Sequence, residues 1–224
     1  MNRVILSAST DETILAVTRQ HKLVDLEIEQ QINTEIVGCI YKGVVKNIVP
    51  AVDGIFVDIG IGKNAFLRRK DLLNEKRFPT EGSPILAQVI KSDTDMKGAL
   101  ITEKISMFGK YAVTLSGTGY IGVSKKIRQE SVRKRLKEIG KEICAEHMGL
   151  IIRTAAENAD MDEFRKDITR LKENWDIIQK RFRMEKSPTL LYRESDIIVK
   201  ALRDYVNKGT EILITDNRKI YDRI

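Results

Sequence analysis

An α+β fold is predicted by three features of the sequence: closely spaced strand signals, a later stretch of helical periodicity, and a final alternation of strand and helix. The strand signals are clearest from Gly38 to Leu67, where short β-branched runs are separated by glycine and turn residues. Runs of this length and spacing are typical of a small closed β-barrel. With 224 residues, of which 42% are hydrophobic and 32% charged, the chain is long enough to form a folded core.

The predicted barrel carries two phenylalanines and several lysines. Phe56 and Phe66 can offer flat rings to unstacked bases, while Lys42, Lys46 and Lys97 can follow phosphates. Ring stacking combined with a cationic groove is how many β-barrels hold single-stranded nucleic acid. The alternative is that both rings belong to the barrel core, as most strand aromatics do. The sequence leaves both interpretations open.

The chain is basic, with a formal net charge of +7 and an isoelectric point of about 9.3. Much of the excess lies between Lys125 and Glu142, a stretch that contains eight Lys or Arg residues and three Glu residues. A basic run of this kind suits a polyanionic partner such as RNA. It also suits a solvated helix face, and the sequence leaves this alternative open.

Several classes of protein are disfavoured by the composition. No apolar run is long enough for a membrane-spanning helix, and the opening MNRVILSASTDE does not follow the order of a signal peptide. Cys39 and Cys144 form no CxxC motif, and His21 and His147 are the only histidines. We therefore expect a cytoplasmic protein with reduced cysteines and no metal site in this stretch.

The segments on either side of the predicted barrel show different periodicities. Residues 1–36 contain three strand-like runs, and residues 191–224 read as strand, helix and strand, with Asp216 expected to cap the helix that follows. Residues 105–190 contain a hairpin and two amphipathic helices. The second helix has heptad-like spacing, which fits a coiled coil, but its length favours a helix packed on a sheet. Its apolar positions are Phe164, Ile168, Leu171, Trp175, Ile178 and Phe182.

An ordered set of motifs resembles one known family. The stretch GVVKNIVPAVDGIFVDIGIGKNAFL looks like an OB-fold RNA-binding domain of the ribosomal S-one type, in the version found in the ribonuclease E/G family. The same family order continues through four further motifs, and the resemblance covers essentially the whole chain. Family members are longer, so the chain resembles their N-terminal part. The further motifs are ISMFGKY at 105–111, GVSKKI at 122–127, GLIIRTAA at 149–156 and EILITDN at 211–217.

The resemblance implies a domain organisation. Residues 37–104 would form the OB-fold β-barrel, and residues 105–190 would form an α/β unit called the 5′ sensor. Both would be inserted into an RNase H-like subdomain that is split between residues 1–36 and residues 191–224. The second of these two segments is expected to be incomplete at its C-terminal end.

The resemblance also implies roles for individual residues. Phe56, Phe66 and Lys97 match positions that grip single-stranded RNA. A further set matches a pocket for the 5′-monophosphate of RNA, in which an arginine fork and a neighbouring hydroxyl clasp the phosphate. In this pocket a valine packs against the terminal base, and a glycine leaves room and a free N–H group. The set is Gly109, Val113, Lys125, Arg153 and Thr154, and Lys125 departs from the arginine that relatives often carry there.

The resemblance places the catalytic acids that bind Mg²⁺, and the cysteine motif that links protomers through zinc, in sequence that this chain does not include. We therefore expect it to bind RNA without cutting it, as the RNA-binding half of an endoribonuclease acting in RNA processing and decay. The expected partner is single-stranded RNA with a 5′-monophosphate, and the sequence leaves open whether the chain also forms a homo-oligomer. Two alternatives are a stand-alone OB-fold RNA-binding protein and a hydrolase that uses RNase H-like carboxylates of its own.

Overall fold

A computed structural model describes the chain as two compact units. The first combines Met1–Glu35 with Ser195–Ile224, and the second runs from Ile36 to Glu194. In sequence, the second unit is therefore inserted into the first. The residues described are 2–30, 36–76, 78–94, 97–144, 148–193, 196–206, 210 and 212–224.

Strands and helices together confirm the predicted α+β class. The helices are α1 (Glu130–Ile143), α2 (Met161–Met184), α3 (Ile197–Asp204) and α4 (Arg218–Arg223). Short 3-10 turns span Pro50–Val52, Arg69–Asp71 and Thr154–Ala156. The strands are β1 (Asn2–Ala8), β2 (Glu12–Arg19), β3 (Lys22–Gln30), β4 (Ile40–Val49), β5 (Gly54–Asp58), β6 (Ala65–Arg68), β7 (Pro84–Lys91), β8 (Leu100–Thr102), β9 (Ser106–Phe108), β10 (Ala112–Ser116), β11 (Ile121–Val123), β12 (Met148–Ile152), β13 (Thr189–Tyr192) and β14 (Ile212–Thr215).

The first unit is a four-stranded sheet in the order β14-β1-β2-β3. Strand β1 runs parallel to β14 and antiparallel to β2. Alternation along β1 and β2 places their apolar residues on one face, where α3 and α4 cover them. The buried cluster consists of Val4, Leu6, Leu15, Val17, Ile197, Ile198, Ala201 and Ile220.

The link between β14 and α4 corrects one expectation. Asn217, not Asp216, caps α4, because its side chain accepts hydrogen bonds from the N–H groups of Lys219 and Ile220. The Asp216 carboxylate instead accepts from Ser7 Oγ at 2.5 Å and from the Ala8 N–H at 3.1 Å. These bonds join the ends of two parallel strands and lower the pKa of Asp216.

The second unit begins with the predicted barrel. Strands β4, β5, β6, β8 and β7 close on themselves, because β4 pairs with β5 on one side and with β7 on the other. Strand β13 adds a sixth strand to β4, with Thr189 opposite Lys42. Residues 189–192 thus lie in the same sheet as the barrel. The predicted domain boundary at residue 190 instead assigned the two halves of this strand to different domains. The pairing joins residues far apart in sequence, so no local pattern signals it.

The rest of the second unit is a sheet in the order β11-β12-β10-β9, covered on one face by α1 and α2. The apolar stripe of α2 lies in this core, where Phe164, Ile168 and Leu171 are buried. This position agrees with the predicted helix on a sheet rather than a coiled coil. In the part of the chain that is described, no helix has the length and apolar character needed to cross a membrane.

Candidate nucleic-acid interface

Phe56 and Phe66 lie side by side on the outer surface of the barrel. They face each other across β5 and β6, with ring centroids 5.4 Å apart and planes inclined by 51°. Both are half-buried, in contrast to Ile55 and Leu67 beside them, which are fully buried in the core. The register extends the same row to Asn47 on β4. The rings are therefore outside the barrel core, where unstacked bases can reach them.

Gly54 allows the Phe66 ring to lie flat on the sheet. A Cβ atom at position 54 would lie 2.2 Å from Phe66 Cε2 and 2.3 Å from Cζ, which is closer than real contacts allow. The absence of a side chain at this position is thus a local requirement for the observed ring position.

Lys97 and Lys46 are exposed on the barrel, as a phosphate contact requires. Lys97 precedes Gly98, where a Cβ atom would lie 1.9 Å from the carbonyl oxygen of Asn64, the residue just before β6. This close approach places Lys97 near the N-terminal end of β6, the strand that carries Phe66. Lys46 differs in that its ammonium pairs with the Asp58 carboxylate at 3.4 Å. The pair is solvent-exposed and therefore weak, so a phosphate can compete for it.

The structure contradicts the predicted role of Lys42 as a contact for RNA phosphates. Its side chain is only 9% exposed, and Nζ donates to the carbonyl oxygens of Phe182 and Glu185, each at 2.6 Å. These carbonyls lie at the C-terminal end of α2, where a cation also complements the helix dipole. Lys42 therefore anchors α2 to the barrel and is not placed to bind a phosphate of RNA.

Three of the predicted 5′-phosphate residues, Gly109, Arg153 and Thr154, lie at one end of the sheet formed by β11, β12, β10 and β9, which is called the second sheet below. Arg153 follows β12, and its Nη1 donates to the Gly109 carbonyl at 2.8 Å. Ser124 follows β11, and its N–H bonds the Ile152 carbonyl at 2.8 Å. The Ser124 and Thr154 hydroxyls are 3.1 Å apart. Because β11 and β12 are parallel, their carboxyl ends bring a guanidinium and two hydroxyls to the same place.

Gly109 has a different environment from the one expected. Its N–H is not free but bonds the Ala112 carbonyl at 2.8 Å. The space beside it is occupied by Asp167 of α2, since a Cβ atom on Gly109 would lie 2.4 Å from Asp167 Oδ2. What Gly109 offers the site is its carbonyl, which orients the Arg153 guanidinium.

Asp167 is the residue that sequence reasoning missed. Its carboxylate is buried, at 7% exposure, and accepts from the N–H groups of Lys110 (3.2 Å) and Tyr111 (2.8 Å). Arg170 pairs with it at 3.0 Å. Asp167 thereby fixes the 109–111 turn against α2. The signal that could have found it is an acidic residue on the apolar stripe, three positions after Phe164 and four before Leu171.

Tyr111 also connects this turn to α2, through contacts of its side chain. Its hydroxyl donates to Glu163 Oε2 at 2.5 Å, and its ring packs edge-on against Phe164 at 6.4 Å. Burial of the ring and this hydrogen bond raise the pKa of Tyr111 to about 12. The hydroxyl therefore stays protonated at neutral pH and keeps its contact with α2.

Lys125 is held at the surface by Arg133 of α1. Arg133 Nη1 donates to the carbonyls of Ser124 (2.7 Å) and Ile127 (2.9 Å), which clamps the turn between them. Lys125 and Lys126, within that turn, are exposed next to the Ser124 hydroxyl. Arg133, which belongs to the basic run, is thus structural, whereas most other cations of α1 are exposed.

Val113 lies on the open face of the sheet rather than in the core. It is half-buried and stands opposite Phe108 of β9 and Ile151 of β12. Its side chain therefore lies on the face of the sheet that α1 and α2 do not cover.

Among the described residues, no three His, Cys, Asp or Glu side chains come together as a metal site would require. Cys39 and Cys144 are not joined in a disulfide.

Comparison with known proteins first defines the class. Residues 34–102 match the family model described as "S1 RNA binding domain", so the closed barrel with its two outward rings is an RNA-binding domain of the S1 class. Residues 106–224 match "Ribonuclease E/G family". The chain belongs to the ribonuclease E/G family.

The similar curated proteins are longer than this chain. It is 32% identical to Ribonuclease G of Escherichia coli (strain K12) over 99% of its own length and 49% of the relative. It is 31% identical to Ribonuclease E of Buchnera aphidicola subsp. Schizaphis graminum over 99% of its length and 25% of the relative. The chain thus spans about half the length of the ribonuclease G relatives that it matches.

Proposed function

We propose that this chain binds single-stranded RNA on the Phe56–Phe66 surface of the barrel and recognises the 5′-monophosphate of that RNA beside Arg153. In this role it acts as the RNA-binding half of a ribonuclease G-like endoribonuclease in RNA processing and decay, in the cytoplasm. The resemblance assigns cleavage, with its Mg²⁺, to the other half of the longer proteins.

The observation that supports 5′-end recognition is the convergence of Arg153, Ser124 and Thr154 at the strand ends, next to the exposed Lys125. A guanidinium binds a phosphate through two parallel N–H groups, and hydroxyls supply further donors. A terminal monophosphate carries more negative charge than an internal phosphodiester. A compact cluster of cations and hydroxyls therefore favours the chain end.

The test compares two short single-stranded RNAs of the same sequence, one with a 5′-monophosphate and one with a 5′-hydroxyl, at a single fixed salt concentration. We expect tighter binding of the monophosphate, and we expect Arg153→Ala to bring both RNAs to the weaker value. Loss of one charged, bidentate contact corresponds to about 1.5–3 kcal/mol, or roughly 10- to 100-fold in affinity.

The matched control is Arg183→Ala, which removes an exposed arginine near the end of α2 and the same amount of charge. We expect this variant to lower the affinity for both RNAs slightly and by the same factor. Equal binding of the two RNAs by the unmodified chain would contradict 5′-end recognition. In that case the stand-alone RNA-binding barrel is the function that remains, and Phe56→Ala and Phe66→Ala test it.

A further inference from the structure

A row of apolar side chains crosses the open face of the second sheet, opposite the helices. Val113 stands in the middle, with Phe108 directly opposite it on β9 and Ile151 directly opposite it on β12. Phe108 is 43% exposed and Ile151 is 39% exposed. Directly paired residues project to the same face of a sheet, so the three side chains form a continuous row.

Tyr120 extends this row across the fourth strand. Ile151 is opposite Gly122 on β11, and a Cβ atom at Gly122 would lie 2.7 Å from Tyr120 Cε1 and 3.3 Å from Cζ. The tyrosine ring therefore lies where the missing Gly122 side chain would be, while 63% of the residue remains exposed. Two accessible rings thus stand at the ends of the row, roughly three strand spacings, or ~14 Å, apart.

The row is continuous with the Arg153 site. The backbone of Arg153 is extended, with φ −82° and ψ 162°, and its N–H bonds the Tyr111 carbonyl, so the strand pattern continues past Ile152. Alternation then places Arg153 on the same face as Ile151, two residues or ~7 Å along the strand. Gly109, which accepts from Arg153, directly follows Phe108. A nucleotide whose phosphate lies at Arg153 therefore has its base next to this row.

We propose that Phe108 and Tyr120 are additional RNA contacts of this site, and that each ring stacks on one of the first bases of the RNA, on either side of Val113 and Ile151. This inference rests on the proposed recognition of the 5′-phosphate and extends it to the adjoining bases. Base stacking on aromatic rings tolerates any sequence but requires the base to be unpaired. A 5′ end held in a duplex cannot offer its bases to the row.

The test uses the full chain and a short 5′-monophosphorylated single-stranded RNA, with affinity measured by fluorescence anisotropy. One version of the RNA is abasic at its first two nucleotides, and a control version is abasic at its last two. We expect the 5′-abasic RNA to bind about fivefold more weakly to the unmodified chain. Tyr120→Ala and Phe108→Ala should each lower the affinity for the intact RNA by a similar factor, and their affinity should fall less than that of the unmodified chain when the 5′ bases are removed. Tyr120→Phe and Phe108→Trp should retain the affinity of the unmodified chain.

Tyr221→Ala is the matched control, because it removes an exposed ring from α4 and should change none of these ratios. Circular dichroism and Trp175 fluorescence report whether each variant is folded. The inference is overturned if removal of the 5′ bases lowers the RNA affinity of Phe108→Ala and Tyr120→Ala by the same factor as that of the unmodified chain. It is also overturned if these variants leave RNA affinity unchanged but abolish a concentration-dependent dimer, because the row is then a protein interface. The 5′-monophosphate to 5′-hydroxyl ratio of the unmodified chain is read separately and tests the proposed function itself.

Discussion

Gly54 determines where the Phe66 ring lies, and this gives a prediction at the scale of one residue. In Gly54→Ala the new methyl group would overlap the ring, which can turn away because it is the end of a side chain. We expect RNA affinity to fall about fivefold, the lower range for one stacked base, while the free energy of unfolding changes by less than about 1.5 kcal/mol. Anisotropy with single-stranded RNA and urea denaturation measure the two quantities.

A double-mutant cycle separates ring displacement from other effects of Gly54→Ala. In a Phe66→Ala background there is no ring to displace, so the added methyl group should not weaken RNA binding further. If the Gly54 change weakens binding equally in both backgrounds, the glycine acts on the barrel and not through the Phe66 ring.

Asp216 gives a second prediction at the residue scale, on the pH dependence of stability. Hydrogen bonds from Ser7 and Ala8 lower the pKa of Asp216 from its ordinary value of 3.8 in the folded chain. A lowered pKa means that the unfolded chain takes up the proton first as the pH falls. The stabilisation is therefore fully present well above pH 3.8 and is lost as the pH falls through the lower, folded pKa.

The measurement compares the unmodified chain with Asp216→Asn over a pH series of urea titrations. The difference in unfolding midpoint between them should be greatest near neutral pH and should shrink on acidification. Circular dichroism follows the whole chain, while Trp175 is in the second unit and should report no difference. A difference that is constant with pH would show that the carboxylate charge at position 216 is not involved.

At the scale of elements, Asp167 couples α2 to the turn that presents Gly109. In Asp167→Ala the buried N–H group of Tyr111 loses its acceptor, at about 1–3 kcal/mol, and the partly buried N–H group of Lys110 loses its acceptor at about 1 kcal/mol. We expect a destabilisation of about 2–4 kcal/mol in the transition monitored by Trp175 fluorescence. We also expect a smaller preference for 5′-monophosphorylated RNA, since the Gly109 carbonyl no longer holds Arg153 in place.

Arg170→Ala is the matched control for Asp167→Ala. It removes the ion pair with the largely exposed Arg170 but leaves both backbone hydrogen bonds intact. The expected loss of stability is about 1 kcal/mol or less. If Asp167→Ala folds and keeps the full preference for the 5′-monophosphate, the turn is positioned by other contacts.

Elements were predictable from the sequence where their signal is local. Alternation within β4 and β5, and the stripe from Phe164 to Phe182, depend on neighbours a few residues apart, so strands and helix were found. Strand β9 has only three residues, and β13 depends on pairing with β4, far away in the chain. Both lack a local pattern of sufficient length to identify their place in a sheet.

The residues of the candidate site were likewise predictable only where the signal did not depend on contacts between distant parts of the chain. The resemblance to a known family indicated Phe56, Phe66 and Arg153, and the structure places the rings on the barrel surface and Arg153 beside Gly109. Lys42 could not be distinguished from a surface lysine, because the carbonyls that bind it come from the distant end of α2. The prediction that Gly109 leaves open space for the RNA was wrong because Asp167, which is distant in sequence and belongs to α2, fills that space.

At the scale of the whole molecule, the second unit is continuous in sequence and contains both candidate surfaces. In the described part of the chain, each strand pairing joins strands of the same unit, and the barrel and sheet cores contain residues of the second unit alone. We therefore predict that a fragment spanning residues 36–194 folds on its own and binds single-stranded RNA like the full chain. Circular dichroism, Trp175 fluorescence and anisotropy test this.

The position of the C-terminal boundary makes this prediction sharper. A fragment ending at residue 188 would lack β13, so β4 would lose a neighbouring strand and Arg181 would lose the carbonyls of Leu190 and Leu191 that it binds. It should therefore unfold at a lower urea concentration than the fragment ending at residue 194. Equal stability of the two fragments would show that β13 contributes little to the second unit. Loss of folding in both would show that this unit depends on the segments that flank it in the sequence.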